Sequence, residues 1–394
     1  MIILQTVLLI ITVVIAIPVL VLFMQVLASL FWSKRQDSIQ ATNSHHSIAI
    51  IIPAHNESTG IVATIQSILP QLKSQDRLIV VADNCTDDTE KVARDSGAIV
   101  VVRENKELRG KSYALDFGLQ SLKNNPPQIV IIIDADCTVS ENAIPALANA
   151  CDFYQRPIQA LYLMSSLSNS SLKTKIAQFA WVVKNQVRPL GFKVLGLPCQ
   201  LMGTGMAFLW NDLAHTQLAS GHIAEDMKLG IDLCRVNKAP LFFPQVLVSS
   251  FFPTAQDAEK SQRARWEHGH LGIILSDAPA LFIEAVKTKN LQMLGMAFDL
   301  IVPPLAALAL ICCFLFLTVL TIQQIIPINI VLISASLVLI ALVIAVLVAW
   351  FFFGRSIISF KQLCYAPIYA LIKIPLYLKF FVNRQVEWVR TKRD

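Results

Sequence analysis

Two aspartates stand two residues apart in Asp134-Ala135-Asp136, directly after the apolar run Ile129–Ile133. Carboxylates this close repel each other unless a cation lies between them. Hard oxygen ligands of this kind suit Mg²⁺ or Mn²⁺, which complete their shell with water and substrate phosphates. Two more polar clusters follow apolar runs of the same kind. They are Pro53-Ala54-His55-Asn56-Glu57 and Ala82-Asp83-Asn84-Cys85-Thr86-Asp87. Asp87 reads best as a cap of the helix after it. A further acidic pair, Glu225-Asp226, opens a helix-like segment, where the helix dipole favours acids.

These groups need a scaffold, and its pattern is visible. Ile48–Ile52, Leu78–Val81, Ala98–Val102 and Ile129–Ile133 are nearly continuous Ile/Val stretches. Such runs predict strands buried on both faces, hence a parallel sheet. Segments near 57–71, 87–96, 110–122 and 141–152 have helical composition. The order is βαβα, an α/β Rossmann-like sheet covered by helices. Ligands of such sheets bind beyond the carboxyl ends of the strands, where the polar clusters lie. A dinucleotide loop is excluded because there is no Gly-x-Gly-x-x-Gly. Gly110-Lys111-Ser112 resembles the end of a phosphate-binding P-loop, but residue 105 is Asn where that loop needs Gly.

Composition adds a membrane. Of the 394 residues, 55% are hydrophobic and 15% charged, against about 25% charged in a soluble domain. The mean hydropathy of +0.57 excludes an ordinary soluble chain and a disordered one. Eight cysteines without a Cys-x-x-Cys pair make neither a disulfide framework nor a structural zinc site. No charge precedes Lys34, so residues 1–33 predict an uncleaved transmembrane anchor. The uncharged stretch Leu300–Gly354 predicts a transmembrane hairpin over 298–354, with two spans at roughly 298–322 and 328–353. Between anchor and hairpin, residues 45–275 form the soluble domain. From Arg355 the tail 355–394 has eight Lys/Arg against Glu387 and Asp394, eight minus two giving the chain's entire +6. It is expected to lie along an anionic leaflet as an interfacial segment, with a fourth span as the alternative. No nucleic-acid partner is expected. Lys34/Arg35, Lys287/Lys289 and Arg355 place the soluble domain on the cytoplasmic side.

Seven motifs occur in one order: IIPAHNE (51–57), VVADNCTD (80–87), RGKSYAL (109–115), DAD (134–136), GTGMAF (203–208), AEDMKLG (224–230) and QRARW (262–266). Together they resemble the membrane-bound family 2 glycosyltransferases, the group of cellulose, chitin, hyaluronan and poly-N-acetylglucosamine synthases. The resemblance implies a GT-A fold, a nucleotide-diphosphate sugar donor, a UDP-sugar in that group's usage, and inversion at the anomeric carbon. It implies donor contacts from His55, Glu57, Asp83, Lys111, Asp134 and Arg265, and a metal, Mg²⁺ or Mn²⁺, on Asp136. It makes Asp226 the base that takes the acceptor's proton. It assigns Gly203, Thr204, Gly205, Glu225, Gln262 and Trp266 to the acceptor side. Ala82 replaces one of the family's acids, Asn84 its glycine and Ala224 its threonine.

The expected protein is therefore an integral membrane enzyme of a bacterial plasma membrane with a cytoplasmic catalytic domain. It would add sugar to a polysaccharide or lipid-linked glycan. Three spans are too few to enclose a glycan, which favours addition of one or a few sugars, or an export partner or oligomer. QRARW favours the alternative, a processive polysaccharide synthase. From another class comes a catalytically inactive nucleotide-sugar-binding subunit, against which the intact carboxylates speak.

Overall fold

The Ile/Val runs condense into one sheet. In the computed structural model, which describes residues 2–33, 46–167, 170–214, 216, 218–219, 223–253 and 256–382, β1 (Ile48–Ala54), β2 (Arg77–Asp83), β3 (Ile99–Arg103) and β4 (Ile129–Ile132) lie in the order β3-β2-β1-β4. All are parallel. Ile50, Ile51, Ile52, Val80, Val81 and Ile131 have no exposed surface, as helix cover on both faces requires. That cover includes α2 (Ile61–Ile68), α3 (Thr89–Asp95) and α4 (Lys111–Leu122).

The sheet continues through β5 (Thr138–Val139), α5 (Ala143–Tyr154), β6 (Ile158–Ser165), α6 (Leu172–Val182), α7 (Arg188–Val194), β7 (Met206–Leu209), α8 (Trp210–Ala214), α9 (Glu225–Arg235) and β8 (Leu241–Phe251). All eight strands form one sheet, β3-β2-β1-β4-β7-β6-β8-β5. The mixed pairing has a consequence for the site. β7 runs antiparallel to β4, with Met206 opposite Ile132. The start of β7 therefore lies at the end of β4, and residues 203–205 arrive beside Asp134-Ala135-Asp136.

The apolar windows are long helices. α1 (Ile2–Ser29), α13 (Leu305–Gln323) and α14 (Asn329–Ala349), which runs on through a π-turn to Gly354, are long and apolar enough to cross a membrane. Their hydropathies are 2.8 to 3.2, and Phe360–Phe380 meets the same test at 1.3. This last stretch consists of α15 (Phe360–Leu363), α16 (Ala366–Ile372) and α17 (Ile374–Val382). The basic pair Lys34/Arg35 and the tail beyond Val382 lie outside the described residues. The first helix of the hairpin begins at Leu305, not near 298. Pro303-Pro304 lacks two backbone donors and disfavours helix in the residue before it. Before that break come α10 (Gln256–Ser276), α11 (Ala278–Thr288) and α12 (Leu291–Leu300).

Helix α1 is tied to the rest of the chain by buried polar contacts. Gln25 of α1 is fully buried and donates to Asp299 Oδ1 at 2.7 Å. Arg188 donates to the same carboxylate at 2.9 Å and to the Asp299 carbonyl at 2.6 Å. It also reaches Gln25 Oε1 at 3.3 Å. One buried network thus ties α1, α7 and α12, and each charge in it has a partner, as burial demands. Gly191 of α7 lies directly on the backbone of Gln25, where any Cβ would collide with the carbonyl. Gly191→Ala is expected to cost about 1–3 kcal/mol through forced separation of the two helices. Thermal unfolding of the solubilised full-length chain measures it. An unchanged midpoint would show that this close approach is not needed.

Candidate active site

The polar ends of β1, β2 and β4 line one cavity of about 220 Å³. His55, Glu57, Asp83, Lys111, Asp134, Asp136, Gly203, Glu225, Asp226, Gln262, Arg265 and Trp266 all face it. Segments more than 200 residues apart in the sequence meet here because the strand ends, the start of α9 and the helix α10 close on one edge of the sheet.

The two departures from glycine and acid at β2 have a structural answer. Asn84 takes a left-handed φ of 50°, a conformation Asn tolerates better than most residues. Its side chain then donates to Asp83 Oδ1 at 2.9 Å and accepts from Asn105 N at 2.8 Å. Asp83 itself is held by Arg103 at 2.6 Å, both nearly buried. Burial pushes the Asp83 carboxyl above its ordinary range, and the Arg103 bond opposes this only in part. His55 Nδ1 lies 2.7 Å from the Asp83 carbonyl, which sets the ring at the mouth of this arm of the cavity. Asp87 accepts from Thr89 N at 3.0 Å in the first turn of α3 and from Ser58 N at 3.2 Å, a structural role.

The acidic centre is organised around Lys111. Its ammonium pairs with Asp134 and donates to the Gly203 carbonyl at 2.7 Å. Burial works against its charge. Asp134, then Glu225 and Asp226, more than offset this and hold its pKa above the usual lysine value. Gly203 adopts φ +87°, and a Cβ there would lie 3.3 Å from both Lys111 Nζ and Asp226 Oδ2. The glycine is what lets α4 and α9 present these two groups across the same space. Asp134, Asp136 and Cys137 have ligand atoms within 4.8 Å of one another. The buried Cys137 thiol donates to Asp136 at 3.8 Å, so the two carboxylates are the donors left for a cation. Such an oxygen set fits Mg²⁺ or Mn²⁺.

Two expected residues do not face the cavity. Thr204 is fully buried. Its hydroxyl accepts from Asp134 N at 3.0 Å, and its carbonyl accepts from Gln159 at 2.9 Å. A Cβ on Gly205 would lie 2.8 Å from Val248 and 2.9 Å from Ala160. Both residues sit under the acidic loop and shape it from below, because the antiparallel start of β7 packs them into the sheet. In the opposite direction, Tyr162, Trp181, Lys184 and Asn185 line the cavity without having stood out in the sequence. Trp181 meets Trp266 with ring centroids 4.8 Å apart.

Two expected outcomes follow from these charges. Arg103→Leu strands the buried Asp83 carboxylate and should cost about 3–5 kcal/mol, read as a lowered unfolding midpoint at neutral pH. An unchanged midpoint would show that Arg103 is dispensable. Glu225 is the second case. Burial, then the neighbouring Asp226, push its carboxyl up to about 7 against the pull of Lys111. The folded chain therefore keeps a proton that the unfolded chain has released, and stability falls as pH rises from the ordinary glutamate range to about 7. Glu225→Gln should unfold at a higher temperature than the parent at pH 8, by the equivalent of about 1–2 kcal/mol, and at the same temperature near pH 4. Identical midpoints at pH 8 would remove the charge conflict.

Comparison with known proteins agrees with this geometry. The pattern of "Glycosyl transferase family 2" matches residues 49–173, and that of "Glycosyl transferase family group 2" matches residues 129–353. A probable glycosyltransferase of Bacillus subtilis, YdaM, is 25% identical over 254 residues, covering 58% of this chain and 56% of the relative. The 4,4'-diaponeurosporenoate glycosyltransferase of Staphylococcus aureus is 35% identical over 127 residues, covering 31% of this chain and 33% of that one. This chain thus spans about half or less of these relatives' lengths. Among solved structures, a mannosyltransferase of Pyrobaculum calidifontis, described in complex with GDP-Man and Mn²⁺, shares the fold. It has a TM-score of 0.51 at 16% identity, with 86% of this chain and 99% of that chain covered. Since the second family pattern takes in more than half of its residues, the chain belongs to glycosyl transferase family group 2.

Proposed function

We propose that this chain moves a sugar from a nucleotide-diphosphate donor, a UDP-sugar by the motifs it resembles, to a glycan or lipid-linked acceptor at the membrane. The observation that carries this reading is the convergence on one cavity of a cation-binding carboxylate pair, a lysine, and a separate acid at a helix start. Asp83, with Arg103 behind it, offers its remaining carboxylate oxygen to the donor's base, and His55 lies beside it. Lys111 and Arg265 face the donor's diphosphate. Asp136, with Asp134, would hold Mg²⁺ or Mn²⁺, which when bound supplies countercharge to the departing diphosphate. The Mn²⁺ and nucleotide sugar described for the Pyrobaculum enzyme support this choice.

The transfer balances with the residues present. The acceptor oxygen bonds to the anomeric carbon from the side opposite the diphosphate. The bond from that carbon to the diphosphate oxygen breaks, and its electron pair leaves with the nucleoside diphosphate. The acceptor's proton passes to Asp226, and the single displacement from the opposite face inverts the anomeric carbon. Glu225 lies beside Asp226 at the start of α9 and lines the same cavity. Gln262 and Trp266 of α10 flank the acceptor. On this reading residues 45–275 are the catalytic domain on the cytoplasmic side, with the basic flanks Lys287/Lys289 and Arg355 as support.

Asp226→Asn should cut transfer about 10²–10⁴-fold while donor binding persists, measured as product formation beside nucleotide binding. Near-parental transfer would take Asp226 out of the mechanism. Asp136→Ala should lose the portion of donor binding that chelator removes from the parent, as read by calorimetry. Equal donor affinity in the parent with and without chelator would contradict the metal assignment.

A further inference from the structure

A second cavity adjoins the first and is not needed for the transfer just described. It measures about 110 Å³ and shares Trp181, Lys184 and Trp266 with the active-site cavity. Beyond that shared wall one side of its lining is apolar, with Leu22 of α1, Ala177 and Ala180 of α6, and residues 302–306 leading into α13, while Arg188, Arg263, Glu267, His270, Tyr369 and Lys373 line the other. Two of the helices that supply this wall are long and apolar enough to cross a bilayer. The cavity therefore joins the acidic centre to the membrane-facing part of the molecule.

Lys184 stands at the junction. It lies in a π-turn, Val183–Val187, between α6 and α7. Such turns break the helical ladder locally and recur at functional sites. The neighbouring charges are matched. Arg188 pairs with Asp299, Lys373 pairs with Glu267, and Arg263 donates to Tyr369 at 2.7 Å. Lys184 makes no ion pair with a carboxylate among the described residues, and its ammonium lies 5.6 Å from the Trp181 ring. Burial lowers its pKa. Asp226 is the charge that most favours its ammonium, followed by Asp299 and Glu267, while Arg188 opposes it. An anion placed against Lys184 would complete this half-buried cation.

We propose that the second cavity receives the apolar chain of a lipid phosphate acceptor, with its phosphate on Lys184 and a head-group hydroxyl presented to Asp226. The proposal rests on the reading of Asp226 as the group that takes the acceptor's proton. The physical argument is one of matching surfaces. A free sugar in this cavity would leave hydroxyls unpaired against Leu22, Ala177 and Ala180, which is costly. A chain without an anion would leave Lys184 uncompensated. A chain with a phosphate satisfies both walls, and the volume takes only the first carbons of it. The rest would run along α1 and α13. Tyr369 and Lys373 of the tail, held on α10 through Arg263 and Glu267, close the cavity's far side.

The test uses the solubilised full-length chain and a ten-carbon alkyl phosphate with a photoreactive diazirine on its chain. Label mapped by peptide analysis is expected on 177–183 and 302–306. Decyl phosphate should compete, and neither decanol nor glycerol phosphate should match it. Ala180→Phe should abolish this labelling while nucleotide-sugar binding stays at the parental value. Lys184→Gln should weaken competition by decyl phosphate about tenfold or more. Label confined to outward residues such as Phe314 and Leu337 would overturn the proposal. Equal competition by decanol would remove the phosphate, and equal competition by glycerol phosphate would remove the chain. Labelling requires no sugar transfer. Failure of Asp226→Asn to impair turnover therefore counts against the proposed function, whereas misplaced label counts against this cavity.

Discussion

The ammonium of Lys111 pairs with Asp134, donates to the Gly203 carbonyl and lies in the field of Glu225 and Asp226. Four segments of chain are thereby committed to one point: the start of α4, the end of β4, the turn before β7 and the start of α9. Without that cation the acids would face each other across the cavity with their mutual repulsion unopposed. Burial, then Asp226 beside it, pushes the Glu225 carboxyl up, while the surrounding acids, Asp134 first, hold Lys111 charged. On the proposed reading, a nucleotide diphosphate and its metal ion enter a site whose charge is already organised. Preorganisation of this kind is the largest lever a site has on charge that develops during reaction.

The second organising element is the helix that runs from α6 through the π-turn into α7. Lys184 of this helix lines the active-site cavity, and four residues later Arg188 binds Asp299 and Gln25 of the anchor. Displacement of α1 would therefore move a wall of the cavity. The tail acts on the site from the other side. Lys373 and Tyr369 hold Glu267 and Arg263, which neighbour Arg265 and Trp266 on α10. The long apolar helices and the cavity are thus linked through side-chain contacts rather than merely adjoining.

Much of this was legible in the residues. Continuous Ile/Val runs located the parallel strands, because burial on both faces leaves no polar alternation. The acids at their ends located the cavity, because such sheets bind ligands there. Less visible was the direction of β7, a four-residue strand whose antiparallel pairing no local pattern encodes. That pairing buries Thr204 and Gly205, which the motif alone placed against the acceptor. Arg103 was within reach of the sequence. It ends β3 as Asp83 ends β2, and in a parallel sheet the two fall in register. Trp181 and Lys184 carried no signal, since their helix enters the site only through tertiary packing. Pro303-Pro304 did mark the true start of the hairpin helix, and the uncharged run around it hid the break.

The central claim is that this cavity transfers a sugar from a nucleotide diphosphate with inversion. Its most direct test supplies the purified full-length chain with a panel of α-linked nucleotide sugars, Mn²⁺ and a membrane extract as acceptor, and reads the anomeric configuration of the product by NMR. The account predicts that one donor yields a β-linked product and stoichiometric nucleoside diphosphate. An α-linked product, or no donor consumed across the panel, would contradict it.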